Sequence, residues 1–171
     1  MKRGPTIAVG ARGTYRGVAF VVRGRLGLRH ERGSTWDEWY AAFADGREGW
    51  IASVDGRWLV TFGEGSWLPS WEQLGTGVRA WPAFVVVEKG EARFAAREGK
   101  LPFHPRIGRS YRYADLRGPG GAFATIDYGD DPPSLFVGRE ASLGELALGD
   151  TVASRGPALA PRKRTTTSGG K

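Results

Sequence analysis

The sequence predicts an all-β protein made of two tandem repeats of one small unit. Three observations predict it. Ala19-Phe20-Val21-Val22 returns unchanged as Ala83-Phe84-Val85-Val86, and Gly13 keeps the same offset before the first as Gly77 before the second. Gly49-Trp50-Ile51-Ala52-Ser53-Val54-Asp55 returns as Gly121-Ala122-Phe123-Ala124-Thr125-Ile126-Asp127. The 27 glycines lie between short apolar runs without a collagen-like period, which marks many tight turns. A repeat of this length is a supersecondary unit used twice. The expected architecture is small curved antiparallel sheets or SH3-like half-barrels packed as one unit, with a short helical turn in the connector.

The elements follow in order. Residues 1–5 read as a flexible start and 6–62 as the first repeat. Thr6 to Val9 is a short strand, and Val18 to Leu28 a long one. Gly24 and Gly27 inside the long strand point to a bulge or bend that curls the sheet. Glu31-Arg32-Gly33-Ser34 turns the chain into Trp36 to Phe43. Gly49 to Val54 and Arg57 to Phe62 flank Asp55-Gly56, a type I′ hairpin signal. Residues 63–77 form the connector, with a helical turn capped by Ser70. The second repeat spans 78–149, with strands at Phe84 to Glu88, Arg93 to Arg97, Tyr111 to Asp115, Ala122 to Tyr128 and Leu135 to Val137. Ser142-Leu143-Gly144-Glu145 reads as a capping box opening one helical turn. Residues 150–171 read as a disordered basic tail, since they carry Pro, Ser, Thr, Gly and basic residues without periodicity.

Composition narrows the class. The chain has 171 residues and no cysteine, which excludes a disulfide scaffold, a thiolate zinc ribbon and a cysteine nucleophile. No apolar segment follows Met1-Lys2-Arg3, and no run is long enough to span a membrane, so a cytoplasmic protein without a transmembrane segment is expected. The net charge of +7 belongs to the ends. Without Lys2, Arg3, Arg155, Arg162, Lys163, Arg164 and Lys171, basic and acidic residues balance at 18 each. Within the body, arginines crowd the stretch before Trp36, and carboxylates the stretch from Asp37 to Glu64. Cross-strand pairing, with acids such as Glu38 facing the arginines, is the expected use of that asymmetry.

Two runs carry a resemblance. Gly33-Ser34-Thr35-Trp36-Asp37-Glu38-Trp39-Tyr40 precedes Gly49-Trp50-Ile51. Tyr113-Ala114-Asp115-Leu116 precedes Gly120-Gly121 and Ala124-Thr125-Ile126-Asp127-Tyr128. Together they resemble bacterial proteins grouped as domain of unknown function family 4178, over most of residues 6–149. The resemblance implies no activity, substrate or catalytic residue. Longer relatives carry a cysteine-rich zinc-ribbon segment, so this cysteine-free chain is similar to a bare version of the domain.

Candidate site residues fall into two groups. Arg23, Arg25 and Arg29 alternate onto one strand face, opposite Val22, Leu26 and Leu28, and with Trp36 and Trp39 they form a candidate ligand-binding face. Asp127, Asp130 and Asp131 cluster, with Asp115 on a neighbouring strand, as a candidate carboxylate cluster for acid–base chemistry. Asp130-Asp131-Pro132-Pro133 is also an ordinary turn. The two histidines, His30 and His104, lack a ligand spacing, and no nucleophile elbow or phosphate loop is present. No metal or cofactor is expected. The preferred function is a non-catalytic binding or assembly module whose partner is another protein. The alternative is binding of an anionic polymer, nucleic acid or a membrane surface, through the Arg-rich strand and tail residues Arg162, Lys163 and Arg164. A carboxylate-dependent enzyme comes third.

Overall fold

A computed structural model describes residues 7–65, 68–77, 79–81 and 83–149, with the backbone alone at 79–81. Residues 1–6, Trp67, the side chain of Trp81 and residues 150–171 with Arg162, Lys163 and Arg164 lie outside the described residues. Ten strands follow one another: β1 (Arg12–Tyr15), β2 (Val18–His30), β3 (Thr35–Phe43), β4 (Glu48–Val54), β5 (Arg57–Glu64), β6 (Arg79–Trp81), β7 (Phe84–Gly99), β8 (Ser110–Arg117), β9 (Ala122–Asp127) and β10 (Ser134–Ala141). Among the described residues no helix is long and apolar enough to cross a membrane.

β1 to β5 pair in sequence order, as do β6 to β10, each pair antiparallel. Two further antiparallel pairings join these halves, β5 with β10 and β2 with β7. Strands β2-β3-β4-β5-β10-β9-β8-β7 therefore close into one eight-stranded barrel, with β1 and β6 attached outside the ring. The two expected sheets are one sheet, because each half leaves an edge strand that only the other half can pair.

Several expected elements need correction. The short strand expected before Gly10 is only a bridge at Ile7, and the first strand is β1. The stretches expected as separate strands around Phe84 and Arg93 are one 16-residue strand, β7. Other features occur as read. Asp55 and Gly56 both take positive φ, 50° and 77°, as a type I′ turn requires. Gln73 accepts from the Ser70 amide at 2.8 Å at the 3-10 turn Trp71–Gln73. Ser142 and Glu145 hydrogen-bond each other's amides, at 2.6 and 3.2 Å.

The bulges decide which side chains face inward. β2 shifts register between Val22 and Gly24, and β7 between Val86 and Glu88. An extra residue flips the alternation of a strand. Phe20 and Val22 thus pack outside the ring, while Leu26 and His30 line the inside. Val86 packs outside, while Glu88 lines the inside. Both bulges directly follow the repeated tetrapeptide. Gly10 and Gly77 each donate to its last carbonyl, at 2.8 Å to Val22 and 2.7 Å to Val86. Gly10, rather than Gly13, thus makes the contact that matches Gly77. The second sequence match is out of phase: Ile51 packs outward and Phe123 inward.

The largest apolar clusters lie outside the barrel. One joins Ile7, Tyr15 and Leu146 to the outer faces of β2, β3, β4 and β5; within it Trp39 stacks on Trp58 and donates its indole N–H to the Ile7 carbonyl at 2.8 Å. The other places Leu68 and Leu74 of the connector on Val86, Leu116 and Ile126. Lys89 ties that connector down, donating to the carbonyls of Trp71 and Leu74 at 2.6 Å each. The Tyr128 hydroxyl donates to the Pro69 carbonyl at 2.8 Å.

The β5–β10 seam is tight at Gly138, where a Cβ would run into the Val60 carbonyl. Gly138→Ala is expected to lower Tm by at least about 5 °C in thermal unfolding, because the seam cannot part without losing ladder hydrogen bonds. Gly65→Ala, where a Cβ meets nothing within 4 Å among the described residues, serves as the control and should leave Tm unchanged.

Candidate functional site

The inside of the barrel is a cavity of about 640 Å³. Alternation along the strands supplies its wall: Trp36, Glu38 and Tyr40 from β3, Trp50 and Ala52 from β4, Leu59 and Thr61 from β5, Tyr111, Tyr113 and Asp115 from β8, Phe123, Thr125 and Asp127 from β9. The segment Pro102–Arg106 between β7 and β8 contributes to the wall as well. Its Phe103 ring lies 6.3 Å from Trp50 and 5.9 Å from Phe94, and Phe94 stacks on Tyr111 at 5.0 Å.

Three carboxylates share this aromatic enclosure. Burial pushes Glu38 up from 4.5 to about 7; the Trp36 indole, donating to Oε1 at 2.9 Å, opposes that, and the charges of Asp115 and Asp127 add to it. Burial pushes Asp115 up to about 7 as well, opposed by a hydrogen bond from Thr125 and increased by Glu88. Asp127 rises to about 6, again by burial, although it accepts the Gly129 amide at 2.6 Å. Seven carboxylates line the cavity against two arginines, Arg106 and Arg109. The site is an acidic, aromatic chamber suited to a cation. Among the described residues no group of three or more His, Asp or Glu side chains is arranged to hold a metal ion.

The sequence-predicted residues separate across the barrel wall. Asp115 and Asp127 both line the cavity, Asp130 reaches its lining, and Asp131 sits exposed in the turn beyond. Trp36 faces the cavity, whereas Trp39 lies in the outer core. Arg23 and Arg29 are exposed. Arg25 pairs with Asp37, Nη2 and Nε lying 2.6 and 3.1 Å from one carboxylate oxygen, with Glu98 at 3.9 Å. Glu38, expected to pair with the arginines, turns inward, and its neighbour Asp37 takes the outward place. Glu88 and Tyr113, not proposed as site residues from the sequence, also line the cavity, as does His30, which was set aside for lacking a metal-ligand spacing. Their only signal was alternation with apolar neighbours, which a closed barrel shares with any half-buried sheet.

Two measurements probe this arrangement. Changing Arg23, Arg25 and Arg29 together to Gln should cost under about 1 kcal/mol for each broken pair in urea unfolding, since partly exposed pairs contribute little. A larger loss would show that the arginines hold the wall. The carboxylates predict a pH dependence. A carboxyl whose folded pKa is raised keeps its proton better in the fold. The resulting stability is fully present below the unfolded values of 3.8 and 4.5 and is lost as pH rises through 6 to 7. Tm should therefore fall between about pH 5 and about pH 8, and Glu38→Gln should raise Tm at the upper pH by about 3 °C or more.

A search of curated proteins and a search of solved structures each find no match to the chain. Residues 8–143 match the family described as Domain of unknown function (DUF4178). That match takes in every strand of the barrel and the three cavity carboxylates Glu38, Asp115 and Asp127, and the chain belongs to this family.

Proposed function

We propose that the protein is a non-catalytic binding module whose ligand site is the barrel interior, and that the ligand is an organic cation with an apolar body. The observation that carries this is that Glu38, Asp115 and Asp127 line one cavity of about 640 Å³ walled by aromatic rings, with the charges of both aspartates felt at Glu38. An eight-stranded barrel is wide enough to hold one small ligand. Carboxylates destabilised by burial regain their charge when a cation comes beside them, and aromatic faces attract the same charge. An acid–base enzyme built on Asp115 and Asp127 is less well supported, because burial raises both together instead of setting one apart as the base. Binding of an anionic polymer loses one of its three strand arginines, Arg25, to Asp37.

We infer also that the two halves are tandem repeats of one unit. The two halves run through the same antiparallel order, and each carries a bulge after the same tetrapeptide. These features support descent from one duplicated unit, with each copy contributing different side chains to a shared interior.

Titration calorimetry with hexylamine, hexanol and hexanoate tests the function. Hexylamine is expected to bind, with hexanol much weaker and hexanoate excluded. Binding should release protons near neutral pH and strengthen as pH rises through 6 to 7, where the carboxylates ionise. Asp115→Asn and Glu38→Gln should each weaken it by about tenfold. Equal affinity for hexylamine and hexanol, or no binding of either, would overturn the proposal.

A further inference from the structure

We infer that the barrel interior holds a second anchor, made by His30, Glu88 and Tyr113, that recognises a hydroxyl group, so that the ligand is a hydroxylated amine. The inference rests on the reading of the interior as a cation site.

His30 ends β2 and is 7% exposed. Its Nδ1 accepts the Arg32 amide at 3.0 Å. In the neutral ring the hydrogen therefore sits on Nε2. That Nε2 is buried and has no hydrogen-bond partner among the described residues. The carboxylate nearby, Glu88, stands 3.5 Å away at Oε1, and this oxygen already accepts the Tyr113 hydroxyl at 3.1 Å. Buried donors in folded proteins are almost always paired, and leaving one unpaired is costly. His30, Glu88 and Tyr113 all line the cavity, and a ligand oxygen reaches the covered His30 Nε2 by displacing the half-exposed Glu88 side chain beside it.

The donor and acceptor sets define that atom. His30 Nε2 offers a hydrogen, and Glu88 offers carboxylate oxygen. A hydroxyl oxygen accepts from the first while its hydrogen goes to the second. A second ammonium would suit Glu88 but would present only donors to the His30 N–H. A carbonyl would accept from His30 but give Glu88 nothing.

The surroundings hold this geometry. A Cβ on Gly90 would lie 2.7 Å from His30 Nε2 and 3.1 Å from the Tyr113 hydroxyl, so the glycine lets both polar tips converge. The Tyr113 ring meets His30 edge-on at 6.2 Å and Trp36 at 6.0 Å. Trp36 in turn donates to Glu38. The hydroxyl anchor and the carboxylate that receives the ammonium thus stand on either side of two aromatic rings, a span suited to the apolar body of the ligand.

Calorimetry on the full chain tests this, with n-alkylamines and terminal amino alcohols matched in chain length. At one or more lengths the amino alcohol should bind about three- to tenfold tighter than the amine. His30→Phe, which keeps the ring volume without the N–H, and Glu88→Gln, an isosteric change at a half-exposed side chain, should each bring that ratio to about one. Gly90→Ala, which crowds the same two tips, should do likewise. Amines that bind with no gain from the hydroxyl at any length would overturn this inference and leave the cation reading standing. Diamines that outbind amino alcohols at every length would overturn it in favour of a second ammonium. Failure of both matched series to bind would remove the cation reading itself.

Discussion

The antiparallel pairing of β2 with β7 is the contact on which the remaining architecture depends. Each half of the chain is a meander, and a meander leaves edges whose backbone groups need partners. The β5–β10 ladder satisfies one edge of each half, and the β2–β7 ladder satisfies the other. Once both form, no edge of the eight-membered ring is left open, and one face of every strand is committed to an enclosed interior. β2 and β7 are the strands that span both environments. Their early residues pack against the outer clusters, and their later residues line the cavity. The bulges after Val22 and Val86 make that change of face possible without a break in either strand.

The placement of the apolar clusters outside the ring has an electrostatic consequence. A barrel filled by side chains takes its stability from the same space that would hold a ligand. Here Trp39, Trp58, Ile7 and Leu146 on one side, and Leu116, Ile126, Val86 and Leu74 on the other, bury apolar surface without entering the interior. The interior can then hold Glu38, Asp115 and Asp127 although burial disfavours their charge. Sites that store unfavourable free energy persist where the surrounding structure compensates for them, and they concentrate where function needs them.

The sequence carried the local features and lost the long-range ones. The Asp55-Gly56 turn, the Ser70 and Ser142 caps and the bend near Gly24 are written in a few adjacent residues, and each stands where the sequence placed it. Closure depends on β2 meeting β7 far along the chain, and no local signal encodes such a pairing. β7 itself was divided into Phe84 to Glu88 and Arg93 to Arg97, on either side of Gly90; in the barrel Gly90 lies within one strand and gives room to His30 and Tyr113. Glu38 was misjudged for a related reason. Trp36 and Tyr40 share its face, Trp39 and Ala41 take the other, and both faces are apolar enough to be a core. Pairing with the arginines put Glu38 on the solvent side. The outer clusters reverse that choice. Asp115 and Asp127 were legible as a pair because they lie on adjacent strands near the Tyr113–Asp127 bridge.

Neither half of the chain owns the acidic site. Glu38 belongs to β3, while Asp115 and Asp127 belong to β8 and β9, and the rings between them alternate in origin: Trp36 and Trp50 from the first half, Tyr111, Tyr113 and Phe123 from the second. A molecule that engages Glu38 together with Asp115 makes contacts that exist only while the ring is closed. Any ligand bound by the closed barrel and not by an opened one stabilises closure by mass action. The contacts of β2 with β7 and of β5 with β10 would then strengthen together, because losing either ladder separates the carboxylates. Binding and closure are in this sense one equilibrium, and the residues that tighten it include ladder positions such as Gly138 that never touch the cavity.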